Sequence, residues 1–198
     1  MIPEPATVHQ LNPYTGRVRT RSKPLIDFHR GSAVIGDITG GLDTHRWTAE
    51  YIPATGEMLI YRDDLGIGSA VAEIVVPNVR RMVFAFDQNM RPVLGWVLNG
   101  GTSTFLRYYI ALSNAMGIVE FPGILDPCLT LDDSREYLIT TSDVLMSYTR
   151  GGYAYLRAQR DNFTEEYPFG GIGSPLEMVA LSMNTELRVQ CTLLGAST

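Results

Sequence analysis

The chain has 198 residues, a formal net charge of −5 and 45% hydrophobic residues against 19% charged ones. That composition belongs to a folded protein able to bury a sizeable core in one domain, and it excludes a disordered chain or a strongly basic nucleic-acid binder. No apolar run reaches the roughly 18 residues that a membrane helix requires, and the start Met1-Ile2-Pro3-Glu4-Pro5 has neither the charged nor the apolar region of a signal peptide. Residence in the cytoplasm, with no membrane partner, is therefore expected.

Residues 1–33 contain Pro3, Pro5, Pro13 and Pro24, the turn-like Asn12-Pro13-Tyr14-Thr15-Gly16, and no sustained periodicity, so they are predicted to be an extended arm. Within residues 1–31, Arg17, Arg19, Arg21, Lys23 and Arg30 oppose Glu4 and Asp27, giving +3 and leaving −8 for the remainder. A basic arm on an acidic body suits docking onto a neighbouring copy, because opposite potentials steer association and set register. A solvated tail is the alternative.

From residue 34 to 198 the chain alternates short apolar or aromatic runs with turn residues every eight to twelve positions. Strands are predicted at 47–52, 58–62, 70–76, 82–87, 92–98, 104–112, 128–131, 144–149, 153–159, 178–183 and 186–194. Ala54-Thr55-Gly56, Gln88-Asn89, Asn99-Gly100-Gly101, Arg150-Gly151-Gly152 and Asn184-Thr185 separate them and supply turn chemistry. In the last run Leu187, Val189, Cys191 and Leu193 alternate with Arg188, Gln190 and Thr192, so one face is buried and the other wet. Ser174-Pro175-Leu176-Glu177 resembles a helix-capping box, yet 178–183 fits better as a strand in a hairpin with 186–194.

Phe84-Ala85-Phe86-Asp87 and Leu129-Thr130-Leu131-Asp132 share a pattern at an offset of 45, and the strands following each also correspond. A more distant copy runs from Trp47 to Val76. The expected fold is thus all-β: about three antiparallel meanders of about 45 residues plus a C-terminal hairpin, propeller-like or a β-sandwich, preceded by the arm. Three units and a hairpin are few for self-closure, which leaves edges that other chains would pair.

Searches for chemistry return little. No His or Cys pair has zinc-site spacing, and Cys128 and Cys191 sit in apolar alternating segments that favour buried thiols over a disulfide. Ser69 and Ser174, in Gly66-Ile67-Gly68-Ser69 and Gly171-Ile172-Gly173-Ser174, lack a nucleophile context, and neither stretch has a phosphate-loop lysine. Asp126, Asp132 and Asp133 offer hard oxygens for calcium, but without EF-hand spacing a solvated turn is the simpler expectation. No enzyme activity and no cofactor are expected. Tyr108, Tyr153, Tyr155, Arg157 and Arg160 belong to an interleaved Tyr/Arg set suited to a protein interface or a surface glycan, with cross-strand packing as the alternative.

Phe84-Ala85-Phe86-Asp87-Gln88-Asn89 followed by Arg91-Pro92-Val93 resembles the FAFDQNGRPV signature of structural proteins from tailed bacteriophages, with Met90 in place of the glycine. Thr141-Ser142-Asp143-Val144-Leu145 through Tyr148, and the stretch from Gly151-Gly152-Tyr153 to Phe163-Thr164-Glu165-Glu166-Tyr167, are similar to a second block of that family, with Asn162 where arginine is expected. The likeness covers roughly residues 45–193. It implies a virion component of the tail or tail tip, made in the host cytoplasm, whose work is assembly with other virion proteins; the arm and open edges suit a homo-oligomer, and the acidic body argues against a nucleic-acid partner. The alternative is a carbohydrate-binding or carbohydrate-cleaving β module for host recognition.

Overall fold

In the computed structural model, residues 7–11, 18–22, 28–36, 44–87, 89–132, 144–172, 176–183 and 189–195 are described. The fold is all-β. Sixteen strands are present among these residues: β1 (Thr7–Leu11), β2 (Val18–Ser22), β3 (Arg30–Gly36), β4 (Thr44–Ile52), β5 (Glu57–Arg62), β6 (Val71–Val75), β7 (Val79–Phe86), β8 (Pro92–Leu98), β9 (Ser103–Ile110), β10 (Ala115–Pro122), β11 (Cys128–Leu131), β12 (Val144–Arg150), β13 (Tyr153–Ala158), β14 (Tyr167–Gly171), β15 (Leu176–Met183) and β16 (Val189–Gly195). They form four antiparallel sheets of four strands, ordered β3-β4-β5-β6, β7-β8-β9-β10, β11-β12-β13-β14 and β15-β16-β1-β2.

The repeat read from the sequence is therefore real, with β7 and β11 each opening a sheet, but it recurs four times. The fourth copy is split between the chain's two ends. β1 pairs with β16, Val8 opposite Leu194 and Leu11 opposite Cys191, and β2 pairs with β1. An unpaired β16 edge would leave a row of ladder donors and acceptors open, and β1 satisfies them. Where residues 1–33 were expected as an extended arm on a body of 34–198, the structure instead divides into two compact units. One contains residues 28–122 and the other contains 1–27 with 123–198. The hairpin of 178–183 with the last strand is present, Leu181 facing Cys191. Arg17, Lys23, Asp133 and Leu187 lie outside the described residues.

In the unit of residues 28–122, the inward positions of β4 and β5 (Ala49, Tyr51, Met58, Ile60) pack against Met82, Phe84, Phe86, Leu94 and Trp96 of β7 and β8. Edge-to-face contacts of Trp47 and Phe84 with Phe86, at 5.5 and 4.9 Å, fill this layer. Gly31 sets the spacing between β3 and β7, since a Cβ there would stand 2.8 Å from Phe84 Cβ. Each large apolar side chain so buried contributes about 1.5–3 kcal/mol relative to exposure.

In the other unit, Cys128, Leu145, Ala154 and Ala158 pack on Met178, Leu181, Cys191 and Leu193. Both cysteines are buried thiols. Asp126, itself buried, accepts hydrogen bonds from the Thr149 amide at 2.9 Å, the Thr149 hydroxyl and the Met178 amide at 2.5 Å, tying β12 to β15. No helix among the described residues is long and apolar enough to cross a membrane.

Candidate functional site

Three surfaces merit description. The first is the expected Tyr/Arg face. β12 and β13 form a hairpin in which Tyr148 stands opposite Tyr155, Arg150 opposite Tyr153, and Met146 opposite Arg157. Period-two alternation therefore puts Tyr148, Arg150, Tyr153, Tyr155 and Arg157 on one face. After β13 a short 3-10 turn, Gln159–Asp161, is followed by Asn162 and Phe163 at φ of 57° and 59°. This left-handed step returns the chain so that Glu166 meets the strand face. Asparagine tolerates that conformation better than most residues, which accounts locally for Asn162.

Arg157 is the hub. Its Nε donates to Tyr148 Oη at 2.9 Å, one Nη donates to the Phe163 and Thr164 carbonyls at 2.6 and 3.1 Å, and the other donates to Glu166 Oε2 at 3.0 Å. Tyr148 Oη donates to Glu166, which also accepts from Arg150. Arg150 lies 5.0 Å from the centre of the Tyr155 ring, and Tyr155 stacks on Tyr148. Burial, with the hydrogen bond to Glu166, pushes the Tyr148 phenol up to about 12. Burial opposes ionisation of Glu166, but hydrogen bonds from Tyr148 and Arg157 and the charges of Arg150 and Arg157 outweigh it and hold the carboxyl below its ordinary value. A carboxylate held ionised beside a phenol held neutral is a poor acid–base pair near pH 7. The cluster does pin residues 159–166 to the sheet.

The remaining members of the expected face are distributed differently. Tyr153 is half exposed, and Arg160 lies in the 3-10 turn that follows β13. Tyr108 is buried on β9, in the other unit, because β9 alternates and position 108 falls on an inward face. Of the expected basic arm, Arg19 and Arg21 fall in β2. Arg30 opens β3 and is fastened to Glu50 at 2.8 Å and to Tyr61 Oη at 3.1 Å, so it belongs to a sheet rather than an arm.

A second surface was missed by sequence reasoning. β3, β4 and β5 border an open polar cleft of about 460 Å³ lined by Arg30, Gly31, Arg46, Thr48, Tyr61 and Asp63. Thr48 donates to Asp63 at 2.6 Å, and Arg46 pairs with the same carboxylate at 3.4 Å. Alternation of Arg46, Thr48 and Glu50 with Trp47, Ala49 and Tyr51 was visible in the sequence. The register that joins them to Arg30 and Tyr61 was not. Among the described residues, no group of three His, Cys, Asp or Glu side chains is placed to hold a metal ion, and Asp126 is committed to Thr149 and Met178.

The third surface is a pair of outer strands in the unit of residues 28–122. β6 ends one sheet and β10 ends the other. Val71 and Val75 on β6 are 61% and 63% exposed, Leu65 and Ile67 just before it are 59% and 52%, and Ile118 on β10 is 52%. Glu73 is the extra residue of a bulge against β5 and reaches Arg107 of β9 at 2.9 Å, the kind of re-aiming that bulges permit.

Asp87 organises the turn within residues 84–93. Asp87, wholly buried, accepts from the amides of Asn89 and Arg91 at 2.8 and 3.0 Å and from Arg91 Nε at 2.7 Å, closing the β7–β8 hairpin. Arg91 in turn stacks over Tyr109, 3.6 Å from the ring centre. Met90 sits at φ 56°, the left-handed position that glycine occupies best in such turns. Comparisons with protein-family models, with curated proteins and with solved structures gave no match.

Proposed function

We propose that this chain is a non-enzymatic structural component of a tailed-bacteriophage virion, in the tail or tail tip, that works by assembling with other virion proteins and with further copies of itself. The observation that carries the reading is the outer strand β6, whose Val71 and Val75 are exposed at a sheet edge that natural monomers usually blunt. The internal engagement of the Glu166 and Asp126 carboxylates, and the likeness of the Asp87 and Arg157 segments to phage structural proteins, support the same reading. The protein would be made in the host bacterial cytoplasm and incorporated into particles. Mass spectrometry of purified particles tests the proposal: the chain should be recovered at a fixed stoichiometry to the major tail protein, and its absence from particles refutes it.

A second reading, a carbohydrate-binding module, is favoured by the polar cleft, where guanidinium, carboxylate and hydroxyl groups stand together as sugar hydroxyls require. Glycan-array binding lost in Arg46→Ala supports it, whereas an array without signal, or binding lost only in Tyr153→Ala and Tyr155→Ala, removes the cleft from consideration.

A further inference from the structure

The outer edges of the four sheets differ in chemistry. β14 carries Pro168, which has no amide hydrogen to donate, and the β10 run ends in Pro122 with Glu120 as its one charge. β6 has no proline, and its one charge, Glu73, is the bulge residue held by Arg107. Its sequence is Val-Ala-Glu-Ile-Val, and residues 57–75 hold Glu57, Asp63, Asp64 and Glu73 against Arg62, a net charge of −3. β2, the outer strand of the remaining sheet, has the opposite character. Residues 18–22 hold Arg19 and Arg21 with no acid, a net charge of +2.

We infer that β6 of one copy pairs with β2 of a second copy, joining chains head to tail through a continuous intermolecular sheet. The two strands are equally long, five residues each. Like strands pair badly: two antiparallel β6 strands in centred register set Glu73 opposite Glu73, and two β2 strands set Arg19 opposite Arg21, which is destabilising. The mixed pair sets Glu73 opposite Thr20 and Val75 opposite Val18, with no like charges opposed, and buries the exposed valines. Since the two edges are different patches of one chain, the contact is heterologous and propagates into a ring or a filament. This deepens the assembly reading above and rests on its premise of self-association, but not on residence in a virion.

The experiment is analytical ultracentrifugation of the full chain over a concentration series, at low and high salt, with two variants. Wild type should sediment as concentration-dependent oligomers whose association weakens about tenfold or more at high salt. Val71→Lys with Val75→Lys removes the acceptor edge, Arg19→Glu with Arg21→Glu removes the donor edge, and each should sediment as a monomer. Mixed together, the two should form a dimer and nothing larger, because one intact edge of each kind remains; the mixed dimer also shows that both variants fold. A monomeric wild type, a mixture that stays monomeric, or an Arg19/Arg21 variant that still assembles overturns the inference. Particles that contain a chain failing this assay would leave the virion reading standing and remove only the β6–β2 contact.

Discussion

Replacing Asp87 by alanine is the most direct test of how the β7–β8 hairpin is fastened. The substitution removes three hydrogen bonds to one buried carboxylate. Bonds to a charged acceptor contribute roughly 1.5–3 kcal/mol each. Asn89 is exposed and Arg91 only partly buried, so water recovers part of what two of the donors lose. Arg91 would also lose the partner that holds it over Tyr109. A net loss of about 3 kcal/mol follows for Asp87→Ala, and about half of that for Asp87→Asn, which keeps an acceptor for the two amides. For a chain of this size that is a fall in Tm of roughly 6–12 °C in the alanine variant. The assay is convenient because both tryptophans, Trp47 and Trp96, lie in the unit of residues 28–122, and Trp47 packs on Phe86 beside the turn. Urea unfolding followed by tryptophan emission therefore reads the affected unit. An alanine variant within about 0.5 kcal/mol of wild type would refute the assignment of Asp87 as the fastening of the hairpin.

Three further outcomes are expected. Met90→Gly should raise stability by about 1 kcal/mol in the same assay, with an unchanged m value, by relieving a left-handed φ of 56°. Tyr148 has a native pKa raised above its unfolded value near 10, so its contribution to stability is complete below pH 10 and disappears as pH rises toward 12. Thermal unfolding across that interval should lose this sensitivity in Tyr148→Phe, and an unchanged profile would sink the assignment. Cys128 and Cys191 are buried and desolvation pushes the Cys191 thiol up, so a thiol-specific chromogenic reagent should leave the native protein unlabelled and modify two sulfhydryls after denaturation.

Strand identity was legible for most strands that are buried on at least one face. Every run expected between 47 and 194 has a counterpart in β4–β9, β11–β13, β15 or β16. Five elements escaped: β3, in which Gly31, Ser32 and Gly36 interrupt the apolar pattern, and the outer or terminal β1, β2, β10 and β14. β10 reads as Ala-Met-Gly-Ile-Val-Glu-Phe-Pro, with exposed apolar positions that blur the alternation, and β14 contains proline and two glycines. β1 and β2 are short and polar, and nothing near them in sequence hints at their partner β16, some 180 positions away. The site was legible in part: Tyr153, Tyr155 and Arg157 were grouped, but Glu166, which ties Arg157 to Tyr148, returns through a turn that its own residues do not announce.

Alternation of side chains and turn chemistry are local properties, so the sequence by itself determined that the chain is all-β, that a unit of about 45 residues recurs, and that both thiols are buried. Pairing is not local. Only the tertiary structure decided that the chain's first strands complete its last sheet, that Tyr108 is separated from Tyr153 and Tyr155 in the division of the chain, and that Arg30, Arg46 and Asp63 meet across three strands. A ladder of backbone hydrogen bonds is indifferent to sequence separation. Which edges it leaves open depends on register and sheet order, and here β6 is among those left open, with its valines uncovered.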